Sequence, residues 1–435
     1  MRNLPITFLW LIYFVVTSPF IQGQTQSVAF TGATIYPIEG AVIENGTLII
    51  KNGKIEAIGD SKTKIPKNAL VHDASGKVLM PGLVDTHSHI GGGDGGDRSS
   101  SLHPDVRVMD SFNPMSPSIK KALSGGITAA NVMPGSGWLM SGQTIYVKLR
   151  SAKNVEDMLL CSEEHPEICG GLKMANGTNP IGSAPSPGTR AKSAAMVRSL
   201  FIKAQDYQQK ILAAGDDLSK RPSRDLQMET LAEALEGKRT VHHHTHRHDD
   251  VLTAIRLAEE FGYDMVLQHV SEAYKVADEI AASGYPASII SLDSFGGKVE
   301  AKDFSNTNGA VLEQAGALVG IHTDDYVTDS RLFLRSAAFA VREGMSREKA
   351  LEAITLSNAK MMRLDHRIGS LKKGKDADLL ILSGDPFSVY THVLETWVDG
   401  VKAWDRSNPE DRAVATGGYG VFRLNTHTHT HEGGN

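Results

Sequence analysis

Four short stretches hold side chains that could grip a metal and move a proton. In the first, Pro81-Gly82-Leu83-Val84-Asp85-Thr86-His87-Ser88-His89, an apolar run ends in two histidines spaced two apart. In extended backbone, residues i and i+2 project to the same side, so both imidazoles can reach one ion. The second is Val241-His242-His243-His244-Thr245-His246-Arg247-His248. Alternation there puts His242, His244 and His246 on one side and His243 on the other. The third, Met265-Val266-Leu267-Gln268-His269, ends an apolar run in one His. The fourth, Gly320-Ile321-His322-Thr323-Asp324-Asp325, ends one in His and Asp. Each alone has a plainer explanation: exposed loop histidines, a surface His tract, a structural His, a helix-capping Asp. Together they put imidazoles and a carboxylate, good ligands for Zn2+ and similar ions, at four strand ends in chain order.

Those ends need a scaffold. Apolar runs at 82–85, 127–132, 143–148, 170–174, 240–244, 265–269, 288–292 and 317–321 alternate with helical stretches, among them 249–261 and 346–362. In 249–261, Val251, Ile255, Ala258 and Phe261 recur at helical spacing and Asp249 and Asp250 suit the first turn; Ser346 is a plausible N-cap for the second helix. Eight strands alternating with helices predict an α/β fold, a (β/α)8 TIM barrel over 80–367, whose C-terminal strand ends carry the chemistry. Residues 27–79 read as short strands split by turns such as Asn52-Gly53, and the chain is β-like again after about Ile368. The flanks 24–79 and 368–406 are expected to form one small β-sandwich domain. The tail 407–435 is polar and Gly-rich with His427, His429 and His431, and is expected to be disordered.

Arg2, the apolar run 8–16 and Gly23 before a polar stretch read as a secretory signal peptide, residues 1–23. The alternative, a membrane anchor, needs about 20 apolar residues; no stable span is expected after cleavage, and no Cys ends the run as a lipoprotein signal would require. The destination is periplasmic or extracellular, where Cys161 and Cys169 are free to pair; a small loop bridge and two thiols both remain open. A net charge of −5 and 6% aromatic residues exclude an obvious nucleic-acid surface. Self-association into a homo-oligomer is left open.

The four segments, in this order, resemble the amidohydrolase superfamily, and more closely its imidazolonepropionase-related branch, especially exported bacterial members. The similarity runs over about residues 29–404. It is carried by the 81–89 stretch, by Met133-Pro134-Gly135-Ser136-Gly137 with Ser141-Gly142-Gln143, by His269-Val270-Ser271-Glu272-Ala273-Tyr274, and by Gly369-Ser370-Leu371-Lys372-Lys373-Gly374-Lys375-Asp376-Ala377-Asp378-Leu379. The resemblance implies His87, His89, His244 and His269 as metal ligands and Asp324 as both ligand and general base. It puts Lys173 where some members have a carbamylated lysine bridging two metals. Related exported members often carry Gly-Glu-Asn just after that lysine; here the stretch is Gly177-Thr178-Asn179, with no carboxylate, which unsettles a second metal.

The expected cofactor is one or two divalent metals, Zn2+ foremost. A metal held by neutral imidazoles lowers the pKa of water from about 15.7 to about 7. Asp324 would take the proton and return it to the leaving nitrogen. His246 and His322 would either polarise the substrate or hydrogen-bond the ligands. The substrate expected is a small molecule: a cyclic amide, a dipeptide or an N-acyl amino acid. Export disfavours a role in cytoplasmic histidine breakdown. Two other readings compete. One is a catalytically degenerate relative, motivated by Thr178. The other is a periplasmic metal store, in which Asp324 and Lys173 would have no obvious purpose.

Overall fold

A computed structural model describes residues 26–93, 96–97, 99–182, 187–291 and 298–417. The proposed signal peptide lies outside them, as does the histidine-bearing end of the tail. Among the described residues no helix is long and apolar enough to cross a membrane.

The turn signals of the first flank separate β1 (Val28–Ile35), β2 (Ile43–Lys51), β3 (Lys54–Gly59), β4 (Leu70–Asp73) and β5 (Val78–Pro81). Asn52 and Gly53 both take positive φ in the β2–β3 hairpin, which pairs Lys51 with Lys54. The central strands follow: β6 (Leu83–Ser88), β7 (Ile127–Val132), β8 (Met140–Gln143), β9 (Ile145–Lys148), β10 (Leu172–Ala175), β11 (Val241–Thr245), β12 (Met265–His269), β13 (Ala287–Ile290) and β14 (Val319–His322). The chain closes with β15 (Leu379–Leu382), β16 (Val393–Val398) and β17 (Val401–Asp405).

Strands from the two flanks share one sheet of order β17-β16-β15-β5-β1-β2-β3, with β4 pairing parallel to the first half of β1, Val28 opposite Leu70. The join is the antiparallel pair β5–β15, Pro81 opposite Leu379 and Val78 opposite Leu382. One side of this sheet packs around Phe30, Leu48, Ile55, Leu79, Leu379 and Trp397.

The central strands form a six-stranded sheet, β14-β13-β12-β11-β10-β8, and a three-stranded one, β6-β7-β9. Strands β10 to β14 are parallel, as are β6 and β7. The stretch 143–148, expected as one parallel strand, departs from this. It is divided at Thr144 into β8, antiparallel to β10, and β9, antiparallel to β7. No described helix separates β7 from β8, so the chain doubles back instead of crossing over, and a direct return can only pair antiparallel. The far edges also meet. Asp324 N donates to His87 O at 2.9 Å, and Asn358 Nδ2 donates to Val84 O and Ile321 O, both at 2.6 Å.

Asn358 belongs to a further correction. The helix expected over 346–362 is two, Arg347–Ala353 and Leu356–Met361. Ser346 caps the first, accepting from Lys349 N. The Ile354 carbonyl is taken by Val84 N of β6 at 3.0 Å and so cannot serve a continuous helix. The tail also departs from expectation, because Pro409–Thr416 is helical. Asn408 caps it, Pro409 occupies its first turn, and Asp411 pairs with Lys120 at 2.7 Å. Cys161 and Cys169 are joined by a disulfide.

One buried ion cluster ties the central strands to the flanking sheet. The side chain of Lys148, on β9, is fully buried against the carboxylates of Asp376, Asp378 and Asp399. Burial alone would lower the Lys148 ammonium, but the three carboxylates outweigh it and hold it above its usual value. Removing one partner of a buried ionic group typically costs about 3–5 kcal/mol. Lys148→Met is therefore expected to lower the unfolding free energy by an amount of that order, read from the shift of the denaturation midpoint. An unchanged midpoint would mean that the cluster carries no net stability.

Candidate metal centre

Strand periodicity aims the histidines. His87 is the next-to-last residue of β6, His244 lies on β11, His269 ends β12, His322 ends β14, and all four side chains are buried. Two of the key positions have left-handed backbone: His269 at φ 72° and Asp324 at φ 49°, with Val270 between sheet and loop at φ 41°. A β-branched residue in that region is strained, and such strain persists where surrounding contacts over-determine it. Here Val270 N is bound by Thr245 O at 2.9 Å and Asp324 N by His87 O.

Asp324 is the hub. Its Oδ1 lies 3.4 Å from His87 Nε2 and 3.1 Å from His89 Nε2, and its Oδ2 lies 3.8 Å from His269 Nδ1. The outer ring nitrogens decide what those atoms present. His89 Nδ1 lies 2.7 Å from the Met133 carbonyl, and His87 Nδ1 lies 3.3 Å from Gln268 Oε1. Both partners only accept, so both Nδ1 atoms carry the proton and both Nε2 atoms offer lone pairs. Two imidazole lone pairs and a carboxylate oxygen thus converge with no proton of their own between them. That donor set fits a divalent cation, as in N/O sites for zinc.

Burial comes first among the causes that hold the rings of His87, His244 and His269 well below the usual imidazole value. It brings those of His246 and His322 down to about 3. The rings are neutral at pH 7, the form that binds metals. For Asp324 burial pushes upward, but the positive charge of a proton on His87 or His89, or of a cation in its place, outweighs burial and holds the carboxyl well below its usual range.

Lys173 Nζ is fully buried, 3.1 Å from His87 Nε2 and 3.0 Å from Met133 Sδ. Burial pushes its ammonium down to about 7, against the pull of Asp324. No described carboxylate lies within ion-pair distance of it, which disfavours the salt-bridge explanation of a strand-end lysine.

His322 is held at both nitrogens, by Ser288 Oγ at 2.8 Å and by His269 Nδ1 at 3.0 Å. That supports its hydrogen-bonding alternative. His246 donates or accepts at Nδ1 with Ser271 Oγ at 2.7 Å, while its Nε2 has no partner among the described residues. His242 points inward but toward Tyr146 OH at 2.8 Å and Gln268 Nε2 at 3.1 Å. Its neighbour His243 faces the opposite way, lining an outer cleft with Arg190 and Asp250.

His244 does not join the Asp324 group. Its ligand atom lies with those of His246 and Glu300, all three within 4.8 Å of one another. Glu300 escaped the sequence reading, and it corrects one expectation: a carboxylate does stand beside Gly177-Thr178-Asn179. Glu300 Oε2 accepts from Thr178 N at 2.6 Å. The one hint in the sequence was the gap itself, a motif position lacking its acid. Gln268, Tyr146 and Ser288 were likewise unforeseen as partners of the ring nitrogens. Asp85 of the same motif accepts from Thr323 Oγ1 at 2.5 Å and ties β6 to the segment bearing Asp324.

Residues 78–403 match the family described as "Amidohydrolase family". Among solved structures, the chain is similar to an amidohydrolase from Thermotoga maritima MSB8, with 35% identity and a TM-score of 0.82, covering 87% of this chain and 100% of that one. It is 23% identical over 413 residues to an imidazolonepropionase of Picrophilus torridus, covering 84% of this chain and 94% of that protein. It is 24% identical over 411 residues to the amidohydrolase tasK of Hapsidospora irregularis, which covers 85% of this chain; the chain spans only 41% of that relative's length.

Proposed function

The chain belongs to the amidohydrolase family; from that premise we propose that it is a hydrolase of carbon–nitrogen bonds, a zinc-dependent enzyme cleaving amide, cyclic amide or dipeptide bonds, with Asp324 as general base. The observation that carries this reading is the convergence of His87 Nε2, His89 Nε2 and Asp324 Oδ1.

His87, His89 and Asp324 would hold the ion, with His269 beside them and His244 toward a second position. When bound, a divalent metal lowers the pKa of water and polarises a carbonyl. Gln268 and the Met133 carbonyl fix the ring tautomers, so the ligands need no reorganisation. Asp324 accepts a proton at Oδ2 and delivers it to the departing nitrogen. His246, through its unpartnered Nε2, is the better placed of the two expected polarising histidines; His322 positions His269. Lys173, its uncharged amine having added carbon dioxide and lost a proton, would supply a carbamate as a further metal ligand.

The scaffold for this is a (β/α)8-type barrel, in which the two central sheets join through Thr144 and through Asp324, β8 and β9 running antiparallel to their neighbours. The flanks 24–79 and 368–406 form a composite β-sandwich beside it. Export fits the Cys161–Cys169 bridge, since disulfides persist in oxidising compartments. The test is a panel of dipeptides, N-acyl amino acids and cyclic amides given to the zinc-loaded chain. Release of amine from at least one class, lost on adding a chelator, is expected. A chain that holds zinc yet cleaves none of the three would favour the degenerate reading.

A further inference from the structure

We infer that the outer cleft behind His243 is a binding site for a small molecule that carries both an amide and a carboxylate, separate from the metal centre. The cleft holds about 450 Å3, within the range of about 300–1,000 Å3 typical of small-ligand pockets. It is lined by the helices Arg190–Ala214 and His248–Phe261 and by residues of β10 and β11. Leu139, Val197, Leu252 and Leu257 give it an apolar wall for a hydrocarbon body. Four polar atoms of its lining residues are buried without a hydrogen-bond partner among the described residues: both ring nitrogens of His243, Asn176 Oδ1 and Arg190 Nη2. His243 itself is 1% exposed. Buried polar groups are normally paired, so four around one cleft call for a ligand that pairs them.

Asp250 holds two of these groups in place. Its carboxylate accepts from Arg190 Nε at 2.9 and 3.0 Å, which leaves Nη2 as a spare donor. Its backbone carbonyl accepts from Asn176 Nδ2 at 2.8 Å, which orients the side-chain amide and leaves Oδ1 as a spare acceptor. His243 adds a ring that can give and take one hydrogen bond each. Donors and acceptors in equal number match an amide, whose carbonyl accepts and whose N–H donates. Charge sets the other group. Among the cleft's ions, Asp249 is paired with Arg247 and Arg198 with Glu260. Arg256, on the exposed side, donates to Thr253 Oγ1 at 2.8 Å and has no carboxylate within ion-pair distance among the described residues. It is the cation left to meet a carboxylate. Alternation along β11 puts this cleft on the side of the strand away from His242 and His244.

The inference does not rest on the hydrolase reading and is tested by binding alone. N-acetylleucine, which joins an amide, a carboxylate and an apolar side chain, is titrated calorimetrically into the full-length zinc-loaded protein. The titration is repeated with Asp324→Asn, in which turnover is not expected to consume the probe, and with His243→Phe and Arg256→Ala, circular dichroism confirming the fold. Saturable binding is expected, with the same affinity in Asp324→Asn. His243→Phe and Arg256→Ala should each weaken it by about 10-fold or more, the worth of one hydrogen bond to a charged group. Should His243→Phe fail to fold, Arg256→Ala, a change at an exposed side chain, decides alone. Isocaproate, which lacks the amide, and N-acetylleucinamide, which lacks the carboxylate, should both bind correspondingly less tightly. Absence of saturable binding would overturn the site and leave the cleft to solvent. Binding that persists unchanged in Arg256→Ala but disappears in Asp324→Asn belongs to the metal centre and overturns it equally. Isocaproate binding as tightly as N-acetylleucine would overturn the amide as the recognised group.

Discussion

Asp324→Asn is expected to lower kcat by about 10²–10⁴-fold, the usual contribution of a positioned general base. The carboxamide keeps the size and nearly the shape of the carboxylate, so the left-handed turn at this position, which Asn tolerates as well as Asp, is preserved. What changes is charge and basicity. Oδ2 faces away from the His87 and His89 nitrogens toward His269 and is the atom free to accept a proton. An amide there cannot accept and return one. The measurement is steady-state turnover on whichever amide the panel identifies, with zinc content determined on the same samples. Loss of turnover with zinc retained would assign Asp324 to proton transfer. Loss of both would reduce it to a ligand. Turnover that survives undiminished would sink the mechanism.

The second large effect concerns the ion itself. His87→Ala/His89→Ala is expected to remove at least one zinc equivalent and to abolish turnover. Each ring is aimed by a partner outside the site, the Gln268 side chain or the Met133 carbonyl, so the two lone pairs are presented before any metal arrives. Removing both leaves Asp324 as a buried carboxylate without its main compensating neighbours. Elemental analysis in the background lacking the tail histidines separates three cases. Zinc lost with the pair supports the centre. Zinc kept while the tail is intact, and lost only with it, would favour a metal store. A reference protein that takes up no zinc at all would favour a degenerate relative.

Much of this arrangement was readable because its signals are local. Strands β7 and β12 have the bounds expected from their apolar runs, 127–132 and 265–269, and the strand-end histidines follow from alternation. What was missed depends on distant partners. Nothing in the pattern of 143–148 records strand direction, because a period of two is the same either way. The break near Thr355 comes from Val84 of β6, a residue far away in sequence. Glu300 reaches Thr178 across 122 positions, and no periodicity links them. The helix Pro409–Thr416 is a different kind of miss. Its Asn408-Pro409-Glu410-Asp411 start is a strong local cap signal, which prevails over the polar, Gly-rich composition of the tail.

The cluster around Lys148 also sets a timetable for folding. Its ammonium is made in the first half of the chain, and its hydrogen-bonded partners Asp376 and Asp399 lie 228 and 251 positions later. The strand that β5 needs, β15, is likewise among the last to be synthesised. A chain growing from its N-terminus therefore has neither a partner for β5 nor carboxylates for Lys148 until synthesis is almost complete. Closing so long a loop costs little extra entropy, because that cost rises only with the logarithm of length. The delay is in waiting, not in searching. Truncation before residue 376 would leave a chain held permanently in that earlier condition, exposed to proteases and to neighbouring copies of itself.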